Sequence, residues 1–169
     1  MKQKVSDYIA EYIAQWGIRD VFTVTGGGAM HMNDAFGHHK MLHCTYQHHE
    51  QACAMAAEAY ARLGNKMAAV CVTTGPGATN AITGVLGAWM DSIPMLVFSG
   101  QARYATTVSA SGLPLRSMGV QECNIVPVVK SLTKYAHMIV HPENIRYHLE
   151  KALYLAVNGR PGPVWLDIP

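Results

Sequence analysis

No charged residue interrupts positions 67–90, and that stretch constrains the fold more than any other part of the chain. It is long enough to cross a bilayer as one helix. Gly75-Pro76-Gly77 and Asn80 fall in its middle, however, where they would break the helix and leave polar groups unsatisfied in lipid. No membrane span is expected. A strand over 67–74, a tight turn and a buried helix ending at Met90 accommodate the stretch instead. A strand apolar at almost every position is covered on both faces, as strands of helix-flanked parallel sheets are.

The rest of the chain alternates in the way such a sheet requires. Val5, Tyr8, Ile9, Tyr12, Ile13 and Trp16 recur at helical spacing and predict a first amphipathic helix stopped at Gly17. Further strands are predicted at 20–25, 41–46 (short and buried), 94–99, 135–140 and 163–168. Between them fall helices at about 29–36, at 51–63 with Gly64 as its cap, near Ile125, and at 142–157. Residues 101–124 show no clear period and carry Gly112, Pro114 and Gly119, which predicts a long loop, functional or mobile. The fold class that follows is α/β: a single domain over 1–169, with a parallel sheet of about six strands and helices on both faces.

Half of the 169 residues are hydrophobic and only 14% are charged, so one sizeable core is expected. The net charge of +2 contains no basic run, and no nucleic-acid partner is expected. Cys44, Cys53, Cys71 and Cys123 form no CxxC pair and read as free thiols of a reducing cytoplasm. The N-terminus shows no signal-like apolar region. The helices predicted at 51–63 and 78–90 are apolar or small on nearly every face, whereas one sheet covers only one side of each. A second copy of the chain is the expected cover.

Glu50 stands where the strand at 41–46 ends and the helix at 51–63 begins, at the predicted carboxyl edge of the sheet. Open α/β sheets bind ligands along that edge. A carboxylate there can exchange a proton with a bound heterocycle, or can simply stabilise the first helical turn. His31, His38, His39, His43, His48 and His49 account for six of the nine histidines, yet no HExxH or CxxC spacing accompanies them. No metal site is expected in the chain, and these histidines read as surface or loop residues. Gly75-x-Gly77-x-x-Asn80 lacks the third glycine of a dinucleotide fingerprint, and neither glycine loop carries a P-loop lysine. On these grounds alone a stand-alone α/β module binding a nucleotide or other anion, without catalysis, is one reading.

His49-Glu50-Gln51-Ala52, Tyr60-Ala61-Arg62, Thr74-Gly75-Pro76-Gly77-Ala78-Thr79-Asn80, Asp91-Ser92-Ile93-Pro94, Ser99-Gly100-Gln101, Gln121-Glu122 and Gly159-Arg160-Pro161-Gly162-Pro163-Val164 occur in this order. Together they resemble the amino-terminal pyrimidine-binding domain of thiamine-diphosphate enzymes of the acetolactate synthase type. The resemblance covers essentially the whole chain and implies the fold of that domain. In that family the glutamate matching Glu50 bonds a ring nitrogen of the cofactor's aminopyrimidine and favours its imino tautomer. The thiazolium carbon is thereby activated to attack a 2-keto acid such as pyruvate. The resemblance casts Glu50 and Gln121 as catalytic, with Gly26, Gly27, Glu50, Thr74, Pro76 and Asn80 as neighbours of thiamine diphosphate.

The family's Pro-Gly-Gly-Ala is Gly26-Gly27-Gly28-Ala29 here, and Val120 replaces the phenylalanine that commonly precedes the glutamine. The second change alters the substrate wall. His31 is a candidate acid or base near the site, although a helix-surface role is the expectation. The Gly-Asp-Gly motif through which the family holds the diphosphate and Mg2+ does not occur in these residues. The chain is therefore expected to be one domain of a longer enzyme, a homodimer or tetramer that decarboxylates a 2-keto acid and transfers the acyl unit. The resemblance also admits FAD in a central domain.

Overall fold

The computed structural model describes residues 3–169. Helix α1 (Val5–Trp16) leads into β1 (Asp20–Thr23), a 3-10 turn at Gly27–Ala29 and α2 (Met30–His38). Then come β2 (His43–Tyr46), α3 (Glu50–Gly64), β3 (Ala69–Val72), α4 (Pro76–Asn80) and α5 (Ile82–Met90). Strand β4 (Met95–Gly100) precedes α6 (Val108–Ser111), α7 (Ile125–Val129), β5 (Tyr135–Met138), α8 (Ile145–Val157) and β6 (Pro163–Ile168). The strands form one six-stranded sheet in the order β2-β1-β3-β4-β6-β5, and every pairing is parallel. This is the predicted α/β architecture.

Alternation along the central strands sorts the core into two layers, because successive side chains of a strand point to opposite faces. Leu96, Phe98 and Leu166 meet Ile9 and Ile13 of α1, Phe36 of α2 and Leu149 of α8. Met95, Val97 and Trp165 meet Cys53 and Ala57 of α3, Val85 of α5 and Val129 of α7. In the second layer α5 lies so close to α3 that a Cβ on Gly84 would stand 2.5 Å from the Ala54 Cβ. Small residues at the crossing permit that approach.

Four expectations need correction. The strand predicted at 41–46 starts at His43 and is not buried: among the described residues it pairs only with β1, at the sheet edge, and His43 and Tyr46 are exposed. Gly64 is the last helical residue of α3, and Asn65 takes the left-handed position at φ 53 that ends the helix. Asparagine tolerates that conformation through its short polar side chain. The helix expected to run unbroken to Met90 divides at Ala81 into α4 and α5. The 101–124 segment is not wholly irregular, since it holds a 3-10 turn at Tyr104–Thr106 and the short α6.

A cluster between β5 and α8 is expected to make the fold sensitive to acid. The rings of His137 on β5 and His148 on α8 stack at 4.0 Å, and the Tyr135 hydroxyl lies 2.7 Å from His148 Nδ1. Burial, and then the Lys151 charge, lower the His137 pKa. Burial, His137 and Lys151 lower that of His148. Depressed histidines contribute stability above their unfolded value of 6.5, and it is lost as pH falls through the folded values. Urea melts at pH 7.5 and about 5.5 should therefore show a smaller acid loss for His137→Phe than for the parent; equal losses would contradict this.

Candidate functional site at the carboxyl edge of the sheet

The strands β1, β2, β3, β4 and β6 all release their chains at one edge, and the predicted site residues lie on the segments that follow. Glu50 is the first residue of α3. His49 caps that helix, its ring Nδ1 accepting the Gln51 N–H at 3.1 Å, a local role that its surface reading missed. Glu50 Oε2 accepts a hydrogen bond from Asn80 Nδ2 at 3.0 Å, which brings the end of α4 onto the start of α3. Glu50 Oε1 has no hydrogen-bond partner among the described residues. Gly77 packs alongside: a Cβ there would come 3.4 Å from Oε1 and 2.6 Å from the Thr73 methyl. The half-buried carboxylate is thus held through one oxygen, with its other available to a ligand.

Thr73 is the post around which the two glycine loops fold. Its hydroxyl accepts the Gly28 N–H at 3.0 Å. A Cβ on Gly26 would stand only 2.5 Å from the Thr73 Cβ. Gly26 and Gly77 therefore flank one threonine side chain, and any larger residue would push the loops apart. Gly75 turns the chain at φ 57 into Pro76, the first residue of α4. A Cβ on Gly75 would lie 2.0 Å from the Gln121 carbonyl oxygen, so the turn and the Gln121 segment are in direct contact.

Gly27, Thr74 and Gln121 line a cavity of about 820 Å³ together with His31, Arg103 and Val120. Glu50, Pro76 and Asn80 are not part of its wall, and the predicted site residues therefore occupy two sides of the Thr73–Gly75 turn. His31 is exposed on α2, as expected of a helix-surface residue, yet it faces this cavity. Val120, 85% exposed, offers the cavity only a small aliphatic wall.

Three residues to which the sequence alone assigns no role stand behind this surface. Thr73 carried no signal, because its role depends on two loops far apart in the chain. Gln101 and Asp167 are buried. Burial raises the Asp167 pKa from 3.8 to about 7, against the opposing hydrogen bonds from Ser99 and Gln101. A lone carboxylate inside the otherwise apolar β6 was the available clue. The Cys53 thiol, one turn after Glu50, is pushed up to about 12 by burial and then by the Glu50 charge, which makes it inert. Among the described residues no three His, Cys, Asp or Glu side chains are placed to hold a metal ion.

Residues 3–126 match the family described as thiamine pyrophosphate enzyme, N-terminal TPP binding domain. The chain is 36% identical over 170 residues to acetolactate synthase 2, chloroplastic, of Zea mays, covering 99% of this chain and 25% of the relative. It is 35% identical to the chloroplastic acetolactate synthase of Arabidopsis thaliana, over 99% of this chain and 24% of the relative. With the acetolactate synthase large subunit of Haemophilus influenzae it shares 37% identity over 164 residues, covering 97% and 27%. The chain spans about a quarter of the length of the curated relatives it matches.

Proposed function

Because this chain belongs to the thiamine pyrophosphate (thiamine diphosphate) enzymes, as their N-terminal TPP-binding domain, we propose that it supplies the pyrimidine side of the active site in a longer, acetolactate synthase-like protein. The observation that carries this reading is the half-committed Glu50 carboxylate, with Oε2 on Asn80 and Oε1 without a partner among the described residues. The glycine cradle around Thr73 fits a flat ring as well, since Gly77 keeps side-chain bulk away from Glu50 and Gly26 packs directly on Thr73. When bound, thiamine diphosphate supplies the activated thiazolium carbon that attacks a 2-keto acid.

Within this reading Glu50 holds the proton at the pyrimidine ring nitrogen through Oε1, and Asn80 keeps the carboxylate from turning away. Pro76 lies on the Glu50 side of the Thr73–Gly75 turn and Gly27 and Thr74 on the cavity side, and we assign all three, with Gly26, to the surroundings of the ring. Gln121, exposed on the cavity wall, is the group that meets the reacting 2-keto acid. We assign Mg2+ and the diphosphate to a separate domain, and any flavin (FAD) to a central one. Four free cysteines accord with a reducing, cytoplasmic setting, and no described helix is long and apolar enough to cross a membrane. The family match favours this reading over a free-standing nucleotide- or anion-binding module.

The longer protein, given pyruvate or another short 2-keto acid with thiamine diphosphate and Mg2+, is expected to release CO2 and form a carboligated product. Failure with a panel of short 2-keto acids would contradict the proposal. Residues 1–169 alone should bind thiamine diphosphate more weakly than micromolar, because charge-assisted metal–diphosphate bonds supply much of the affinity. Micromolar or tighter binding in a calorimetric titration would place those contacts within this chain.

The reading also calls for a second copy of the chain. Met55 and Leu63 of α3 and Leu86, Trp89 and Met90 of α5 are exposed, and Leu63 is 89% so. An apolar surface of this kind on two adjacent helices marks an interface. The protein is expected to sediment as a dimer or tetramer at micromolar concentration; a monomer with no concentration dependence would contradict this.

A further inference from the structure

Gln101, immediately after β4, spends its whole side chain on hydrogen bonds. Nε2 donates to the Cys123 carbonyl at 2.8 Å and to Asp167 Oδ2 at 3.0 Å. Oε1 accepts the Thr74 hydroxyl at 2.7 Å and the Ala102 N–H at 2.9 Å. These exhaust the two donors and two lone pairs of a carboxamide, and they fix its orientation. Turned over, its oxygen would face a carbonyl and a carboxylate. Asp167, fully buried, is gripped from its other side by the Ser99 hydroxyl at 2.6 Å, and Ser99 Oγ accepts the Trp165 indole N–H at 2.8 Å. A continuous chain of bonds thus runs from the core to the Cys123 carbonyl.

That carbonyl belongs to the segment bearing Gln121. Gln121 adopts φ 55, an uncommon conformation for a residue with a side chain. Its own carbonyl oxygen lies 3.4 Å from the Thr74 hydroxyl and against the Gly75 turn. On the outer side the Glu122 carboxylate accepts the N–H groups of Val108 at 2.7 Å, Met118 at 2.9 Å and Gly119 at 3.0 Å. Burial opposes the ionised form of Glu122, but these three N–H groups together hold its pKa below the usual carboxylate range. The segment is clamped from both sides, and the inner clamp is Gln101.

We propose that Gln101, anchored by Asp167, is a positioning residue: it holds residues 121–123 on the Thr74–Gly75 turn and so sets where the Gln121 side chain stands on the cavity wall. The positional part is independent of chemistry, whereas its consequence for turnover rests on the proposed thiamine-diphosphate reading. Methionine at 101 keeps the volume but withdraws all four side-chain bonds, which loosens the inner clamp and leaves Glu122 to order its own loop.

The test is hydrogen–deuterium exchange of the full-length protein, followed by kinetics. Gln101→Met is expected to speed exchange of a peptide covering 112–124 by about tenfold or more, with peptides from α1 and α8 unchanged. In the same variant kcat for pyruvate should fall about tenfold or more, while exchange of the cofactor's thiazolium proton, which depends on Glu50, stays within about threefold of the parent. Unchanged exchange at 112–124, or acceleration spread equally over α1 and α8, would overturn the positioning role. Equal loss of turnover and of thiazolium exchange would overturn its link to Gln121. If Gln101→Met does not fold, Thr74→Val withdraws one of the four bonds and is read by hydrogen–deuterium exchange alone. A selective increase of about threefold at 112–124 supports the proposal and no increase overturns it. A parent protein inactive on every 2-keto acid would sink the functional reading and leave the exchange result to judge the clamp.

Discussion

Glu50→Gln, made in the longer protein, is expected to slow 2-keto acid turnover by about a hundredfold or more, the usual scale for losing a general acid–base group. Glutamine keeps the size of the side chain and an oxygen to accept the Asn80 Nδ2 hydrogen bond. It cannot share a proton with a pyrimidine nitrogen. The fold should hardly notice the change, because the lost charge at the start of α3 is worth at most about 1 kcal/mol. A Glu50 that only stabilised its helix would behave in the opposite way, with a small loss of stability and near-normal turnover. Urea melts and steady-state rates on the same preparations separate the two.

Gly100→Ala is expected to cost about 3 kcal/mol of stability, from overpacking against rigid backbone and from a broken hydrogen bond. A Cβ at this last residue of β4 would stand 2.1 Å from the Gly28 carbonyl oxygen and 2.6 Å from the Ala29 nitrogen. Neither is the movable end of a side chain, so the Gly26–Gly28 loop must shift. The Gly28 N–H bond to Thr73 Oγ1 at 3.0 Å goes with it. The same shift moves Gly26 and Gly27 from the proposed ring-binding surface, and cofactor affinity in the longer protein should fall together with stability. A loss below about 1 kcal/mol in urea would show that the loop yields freely and does not define that surface.

The sheet was legible because its signals are local. The charge-free run at 67–90 could bury itself only as strand, turn and helix, and the structure places β3, α4 and α5 there. The pairing of Glu50 with Asn80 was not local, since their motifs were matched separately and only the fold brings α3 to α4. Thr73 escaped because nothing in a Thr-Thr pair says which member supports the glycine loops and which turns inward to Gln101. The edge strand β2 was misread for a similar reason. Cys44 and Leu42 look buried in sequence, but burial depends on whether a further strand lies beyond, and among the described residues none does. In the 101–124 segment, order comes from the Glu122 carboxylate binding scattered backbone N–H groups, a pattern without periodicity.

The role proposed for Glu50 is to move a proton to and from the pyrimidine of a bound cofactor. Exchange of the thiazolium proton into deuterated water measures this before any substrate is added, and it can be followed in the longer protein loaded with thiamine diphosphate and Mg2+. Glu50→Gln is expected to slow this exchange by about a hundredfold or more relative to the parent at the same pH. Equal exchange rates in the two proteins would contradict it and return Glu50 to the role of a helix-start residue.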